Sequence, residues 1–176
     1  MENEIWGLFD QNRQRTDKTI RRGEPIPAGY YHTVIHVPVF SRRGEMLIQR
    51  RQPTKELFPG LWDVTVGGSA VFWETGGEAA MRELEEEVGI RAPELCGMIP
   101  VWTVGFTGGF DDYFLLRKDV DPASLRLQEE EVSAVRYAGR EEILSMIEEG
   151  TFIPYAPALI ELLFHLNERG SVYGWK

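Results

Sequence analysis

Apolar and polar positions along the chain mark out strands first. HTVIHVPVF (32–40) is rich in β-branched residues and reads as a strand. SRRG follows as a turn, and EMLIQRR (45–51) reads as the hairpin partner. LWDVTVGG (61–68) predicts another strand, ending in a glycine pair. PVWTVGF (100–106) and DDYFLLR (111–117) predict two more, separated by TGG. Helical period appears in TGGEAAMRELEEEV (75–88), in REEILSMIEEG (140–150) and in PALIELLFHLNERG (157–170). Gly150 stops the second helix. Pro157 stands near the start of the third and Gly170 past its end. Strands dominate the middle of the chain, with helices inserted and trailing. That order predicts an α/β or α+β fold, a mixed β-sheet sandwich with helices packed on its faces.

The first helix is the most charged segment. Glu74, Glu78, Glu83, Glu85, Glu86 and Glu87 crowd into WETGGEAAMRELEEEVGI (73–90) with one arginine, Arg82. Thr75 and Glu78 have the spacing of a capping box, and Gly89 suits a C-terminal stop. At about 100° per residue, Glu83, Glu86 and Glu87 share one stripe. Ala79 and Ala80 lie one turn earlier on that side, which predicts open space above the acids. Met81, Leu84 and Val88 form an apolar face for the sheet. Glu78, Arg82 and Glu85 point a third way, with Glu78 and Arg82 spaced for an i,i+4 pair. A solvated helix face would alternate lysine with glutamate. Carboxylates without lysine, beside small residues, favour a hard cation with oxygen ligands, Mg²⁺ or Mn²⁺. A plain solvated face is the rival reading.

Composition narrows the partners. With 176 residues and 43% hydrophobic residues the chain has the makings of one globular domain, spanning 1–176 with a core over about 30–165. A formal net charge of −9 argues against nucleic acid and against an anionic membrane surface as partners. It leaves room for a small phosphorylated ligand. No apolar run is long enough to span a bilayer, and the opening MENEIWGLFD lacks the apolar run of a signal peptide. The one cysteine, Cys96, rules out an internal disulfide, so the expected compartment is the reducing cytoplasm. Cys96 itself reads as a buried structural thiol.

Residues 68–90 resemble the Nudix box, G-x5-E-x7-R-E-U-x-E-E-x-G-U, where U is bulky and aliphatic. Gly68, Glu74, Arg82, Glu83, Leu84, Glu86, Glu87, Gly89 and Ile90 fill every fixed position. The resemblance implies a Nudix fold and a metal-dependent pyrophosphohydrolase. Its substrate would be a small-molecule diphosphate, a nucleoside diphosphate linked to another moiety. It further implies that Glu83, Glu86 and Glu87 ligate metal with a backbone carbonyl near Gly67, and that Glu74 and Arg82 brace the loop. Glu83 and Glu87, with Arg82 and Glu74, are the expected catalytic set.

RRGEPIPAGYYHTVIHVPVF, GEMLIQRR and FPGLWDVTVGGSA look like the branch related to isopentenyl-diphosphate isomerase. An isomerase of that kind carries cysteine where this chain has Gly67, a histidine ligand where it has Ser69, and a glutamate pair aligned with Thr107 and Gly109. The acid for isomerisation is missing, so hydrolysis is expected. Isomerase-like activity and a non-catalytic nucleotide-binding domain are the alternatives. Substrate markers are absent: GFTGG (105–109) shows neither the proline nor the tyrosine of two known substrate classes.

Arg50 and Arg51 end a strand bordering the expected cleft, and one of them would contact phosphate, since neighbours on a strand face opposite ways. Phe58, Trp62, Phe110 and Tyr113 read as core residues, with base stacking the sharper role. The general base is Glu83 or a carboxylate among Asp111, Asp112, Glu130 and Glu131. His32 and His36 share a strand face and read as structural. Trp73, at a position where the family has glycine, reads as packing over the loop or as an aromatic platform for substrate. The glycines at 76 and 77 would accommodate that bulky neighbour. A homodimer stays open.

Overall fold

The computed structural model describes residues 4–172; the acidic opening Met1–Asn3 lies outside the described residues. In chain order the elements are β1 (Ile5–Phe9), β2 (Arg15–Arg21), β3 (His32–Val37), β4 (Val39–Phe40), β5 (Met46–Arg51), β6 (Trp62–Asp63) and β7 (Val66–Ser69). After them come α1 (Gly76–Val88), β8 (Trp102–Phe106), β9 (Gly109–Tyr113), β10 (Leu116–Arg117), β11 (Val132–Ala138), α2 (Arg140–Glu148) and α3 (Pro157–Arg169). The fold is mixed α+β, with three sheets and three α-helices among the described residues.

Three runs that read as single strands are each broken, and their halves belong to different sheets. The first breaks at Pro38, between β3 and β4; the second at 64–65, between β6 and β7; the third at 114–115, between β9 and β10. Near these breaks, and again at 84/85 and 90/91, the chain divides into two compact units. One holds the segment ending at His36 with Gly67–Leu84 and Arg91–Phe114; the other holds Val37–Val66, Glu85–Ile90 and the segment from Leu115 onward.

In the first unit a four-stranded sheet runs in the order β7-β3-β9-β8, with β3 parallel to β9 and β8 antiparallel to it. Ile35, Ala79, Ala80, Leu84, Leu95 and Phe114 are buried in this unit. A separate antiparallel hairpin, β1-β2, was not foreseen from the sequence. β2 is RTDKTIR, mostly exposed, and shows none of the apolar alternation that marks a half-buried strand. The hairpin nonetheless holds its own unit together. Phe72 N–H donates to Ile5 O. Arg13, at φ 60°, gives a two-pronged pair to buried Asp112, with Nη1 2.9 Å from Oδ1 and Nη2 2.5 Å from Oδ2.

The start of α1 is crowded. Gly76 lies beneath the Phe114 ring, where a Cβ would fall 3.0 Å from Cζ. A Cβ on Gly77 would overlap the backbone carbonyl oxygen of Leu95. The glycine pair thus answers the close approach of Phe114 and Leu95, whereas Trp73 is 74% exposed and needs no accommodation. Gly77→Ala gains about 1 kcal/mol of helix propensity but forces backbone to move. A net loss of about 2 kcal/mol is expected from overpacking, read by urea unfolding. Ala79 and Ala80 are fully buried, so they form part of the core and open no space above the acids.

His32 is buried, stacked on Trp6 with ring centroids 4.5 Å apart. Burial holds its pKa below the usual 6.5, against the opposing pull of the Gly108 carbonyl and the Asp111 charge. The folded state therefore takes up a proton at lower pH than the unfolded chain. Stability is full above pH 6.5 and falls as the pH drops below it toward the folded value. Urea midpoints at pH 7.5 and 5.5 should differ accordingly, and His32→Phe should remove that part of the difference.

The second unit contains a five-stranded sheet, β10-β4-β5-β11 with β6 also on β5. Helices α2 and α3 belong to it, and Phe40, Met46, Leu47, Ile48, Ile143, Phe152, Ile160 and Phe164 are buried there. β11 was the other strand not foreseen. Its run VSAVRYA is buried only at its two ends, exposed at Ser133 and half-covered from there on, so no clean alternation announces it. α3 starts on Pro157 and stops on Gly170 at φ 69°, as its sequence predicts. Cys96 is exposed, contrary to expectation: Leu95 fills the core position of that turn and turns the next side chain outward.

Candidate active site

α1 is one continuous helix of 13 residues. It begins with the capping box its sequence predicts. Glu78 N–H donates to Thr75 Oγ1 at 3.3 Å, and Thr75 N–H donates to Glu78 Oε2 at 2.8 Å. That Thr75 N–H, and then the Thr75 hydroxyl, holds Glu78 below its ordinary pKa. The helix ends at Gly89, φ 72°, whose N–H donates to Glu85 O. Between these caps, positions 83, 86 and 87 follow the i, i+3, i+4 spacing that puts side chains on one face. Glu83 is half-buried, Glu86 exposed and Glu87 buried. Glu85 is exposed.

In the first unit Arg82 organises the acids. Its Nε donates to Glu74 Oε1 at 2.6 Å and its Nη2 to Glu74 Oε2 at 3.0 Å, a two-pronged pair. Nη1 donates to Glu83 Oε1 at 2.9 Å, and Nη2 also reaches Ser69 O at 3.2 Å. Burial alone would lower the Arg82 pKa; the hydrogen bond to Glu74 and the charges of Glu83 and Glu74 outweigh it and raise it. The expected helical partner, Glu78, has its carboxylate on Thr75, while Arg82 reaches back to Glu74.

Gly68 lies directly beneath Glu83. A Cβ there would fall 2.8 Å from Glu83 Cγ and nearer still to its carboxyl group. At Gly67 a Cβ would fall 3.2 Å from His36 Nδ1, so the His36 ring fills the place beside it. His36 stacks on Tyr113 and lies 3.2 Å through Nε2 from Asp111 Oδ1. The loop before α1 is fixed from outside: Arg15 donates to Phe72 O and Glu74 O, and Glu74 Oε2 accepts from Val71 N–H at 3.1 Å.

In the second unit Glu87 faces Gln49 on β5, whose Nε2 donates to Glu87 Oε2 at 3.0 Å. Gln128 N–H donates to Glu87 O at 2.9 Å. Arg50 and Arg51 both hold the loop that follows β5. Arg50 Nε donates to Gly60 O, and Arg51 Nε to Leu57 O, with Nη1 3.6 Å from Asp63 Oδ2. Asp63 also accepts from the Tyr155 hydroxyl at 2.8 Å. Among the candidate bases, Asp112 is committed to Arg13 and Thr103, Asp111 lies beside His36, Glu131 pairs with Lys55, and Glu130 is exposed. Phe58 is exposed and Tyr113 buried; Trp62 and Phe110 each lie under a guanidinium, of Arg136 and Arg13 respectively. Sequence reasoning missed Gln49 and Arg15, since a lone glutamine in a strand and an arginine in a polar run carry no motif.

The family model of the NUDIX domain matches residues 30–157. The chain belongs to the Nudix family. It is a Nudix hydrolase, acting on diphosphate anhydride bonds. A Nudix hydrolase of Listeria monocytogenes is 41% identical over 170 residues, 97% of this chain and 99% of the relative. The crystal structure of DR0079 from Deinococcus radiodurans shares the fold, with a TM-score of 0.72 and 24% identity over 92% of this chain and 98% of that one. The Nudix domain of Shewanella oneidensis NrtR, solved with ADP ribose, has a TM-score of 0.57 and 19% identity, covering 80% of this chain and 89% of that one.

Nudix hydrolases generally use divalent metal ions. As the side chains stand, no group of three or more His, Cys, Asp or Glu converges to hold a metal ion among the described residues. The donor chemistry still fits a hard cation, because the helix face offers carboxylate oxygens alone. Gly68 lets the Glu83 carboxyl lie against backbone, as a site with a carbonyl ligand requires. Among the described residues no helix is long and apolar enough to cross a membrane.

Proposed function

We propose that this Nudix hydrolase is a Mg²⁺- or Mn²⁺-dependent pyrophosphohydrolase acting on a nucleoside diphosphate linked to another moiety. The observation that carries the reading is the carboxylate face of α1 together with its brace, Arg82 paired to both Glu74 and Glu83. Glu83, Glu86 and Glu87 would hold the cation, with the Gly67 carbonyl. A bound cation neutralises the diphosphate, orients it and lowers the pKa of an attacking water.

The chain's own part is placement. Arg82 fixes Glu83 in direction and anchors the loop through Glu74 and Ser69. Gly68 brings backbone to Glu83 without a side chain in the way. Water attacks one phosphorus of the anhydride, the bridging P–O bond breaks, and the other phosphate departs with its electrons. Such transfer needs positioning and charge stabilisation more than covalent help. Glu83 takes the proton in this reading, its direction fixed by Arg82.

The nucleotide class draws support from the NrtR domain's complex with ADP ribose, and hydrolysis over isomerisation from the His36 ring beside Gly67, where an isomerase would need cysteine. Arg50 and Arg51, at the end of β5, would supply cations for a substrate phosphate. An exposed thiol at Cys96 suits the reducing cytoplasm. A homodimer through the exposed strand β8 fits the same picture, with Val104 and Phe106 on its surface.

A phosphate-release screen over nucleoside diphosphate derivatives and prenyl diphosphates, with added Mg²⁺, tests the reading. Turnover of a nucleoside diphosphate derivative, abolished by chelation, is the expected result. Activity on none would favour a non-catalytic domain. Double-bond migration in a prenyl diphosphate would favour the isomerase.

A further inference from the structure

The middle of β5 carries one residue that packing does not explain. Met46, Leu47 and Ile48 are fully buried, and Gln49, next in the strand, is only 3% exposed. A buried side-chain amide brings two N–H donors and an acceptor that all need partners. Gln49 Nε2 has one in Glu87 Oε2, at 3.0 Å. Gln49 Oε1 is buried with no hydrogen-bond partner among the described residues. An aliphatic side chain of similar size would avoid that unsatisfied acceptor and suit the strand better. The opposite amide orientation would set Oε1 against Glu87 Oε2, acceptor to acceptor. The carboxylate therefore selects the amide orientation seen.

We propose that Gln49 is a positioning residue for Glu87, holding it in the rotamer from which it would ligate a divalent cation. Glu87 is 6% exposed and its own backbone carbonyl is tied to Gln128 N–H. Its backbone and one carboxylate oxygen are thus fixed from two segments, β5 and the turn before β11. Partners of this kind orient metal ligands, and losing one typically weakens metal affinity about 10–100-fold. The inference rests on the reading of Glu87 as a ligand.

Mn²⁺ binding to the substrate-free protein, followed by calorimetric titration, tests both and keeps them apart. Wild type, Gln49→Leu, Glu87→Gln and the double variant are compared, with a thermal melt of each metal-free protein. Gln49→Leu should weaken Mn²⁺ binding about 10–100-fold while its metal-free melt stays near wild type. In the Glu87→Gln background the same change should weaken it little further. Should leucine prevent folding, Gln49→Met removes the amide with a more adaptable side chain. If Gln49→Leu binds Mn²⁺ like wild type while Glu87→Gln binds weakly, Gln49 is a packing residue and the inference fails. If Glu87→Gln also binds like wild type, the ligand reading itself falls and takes the inference with it.

Discussion

Glu87→Gln yields a folded protein whose kcat is down at least about a hundredfold, since removing a ligand should cost no less than removing one of its outer partners. The side chain keeps its size and its contact with Gln49, because the new amide oxygen accepts from Gln49 Nε2 as the carboxylate did. What changes is charge. A neutral amide is a poor ligand for a hard cation beside two remaining carboxylates. Circular dichroism and the melting temperature should stay near wild type while turnover of the best substrate collapses. Wild-type kcat in this variant would remove Glu87 from the site and with it the proposed cation face.

Arg82→Leu strikes stability and activity together. Glu74 is 8% exposed and both its oxygens accept from Arg82. Without the guanidinium its charge is left buried beside an aliphatic side chain. Breaking a buried pair by removing one partner costs about 3–5 kcal/mol. The Arg82 side chain keeps 25% of its exposure, so water reaches the site and the lower figure, about 3 kcal/mol, is expected. Urea unfolding reads it. Glu74→Gln with Arg82→Leu should recover part of the loss, because no charge is then stranded. Activity should not return with it, since Glu83 also loses the donor that fixes its Oε1.

The legible parts of this fold are those where one physical requirement writes itself on adjacent residues. Thr75 and Glu78 satisfy each other's neighbouring N–H groups, and that needs only a fixed spacing. Gly89 and Gly170 stand where the backbone turns left-handed. The acids of α1 share a face by helical arithmetic, and their family motif covers nine positions. The broken strands were not legible for a related reason. Apolar and β-branched residues run through each break, and among the three only Pro38 marks the change. β1-β2 escaped notice because its hold is made by arginines reaching backbone and carboxylate rather than by apolar burial. Gln49 escaped because its meaning lies in what it faces, 38 positions away. Ala79 and Ala80 misled for a simpler reason: a helical wheel gives a direction and says nothing of what occupies it.

The hairpin β1-β2 bears on where this protein can be cut. The family's shared region starts at residue 30, yet Arg15 holds the carbonyls of Phe72 and Glu74, and Ile5 pairs with Phe72 inside that region. A minimal enzyme trimmed to the shared region would keep every box residue and lose the outer hands that shape the loop carrying Glu74. The family model covers residues 30–157, and the support of the Glu74 loop extends ahead of it. A trimmed protein that keeps this loop's support has to keep the chain from Ile5 onward.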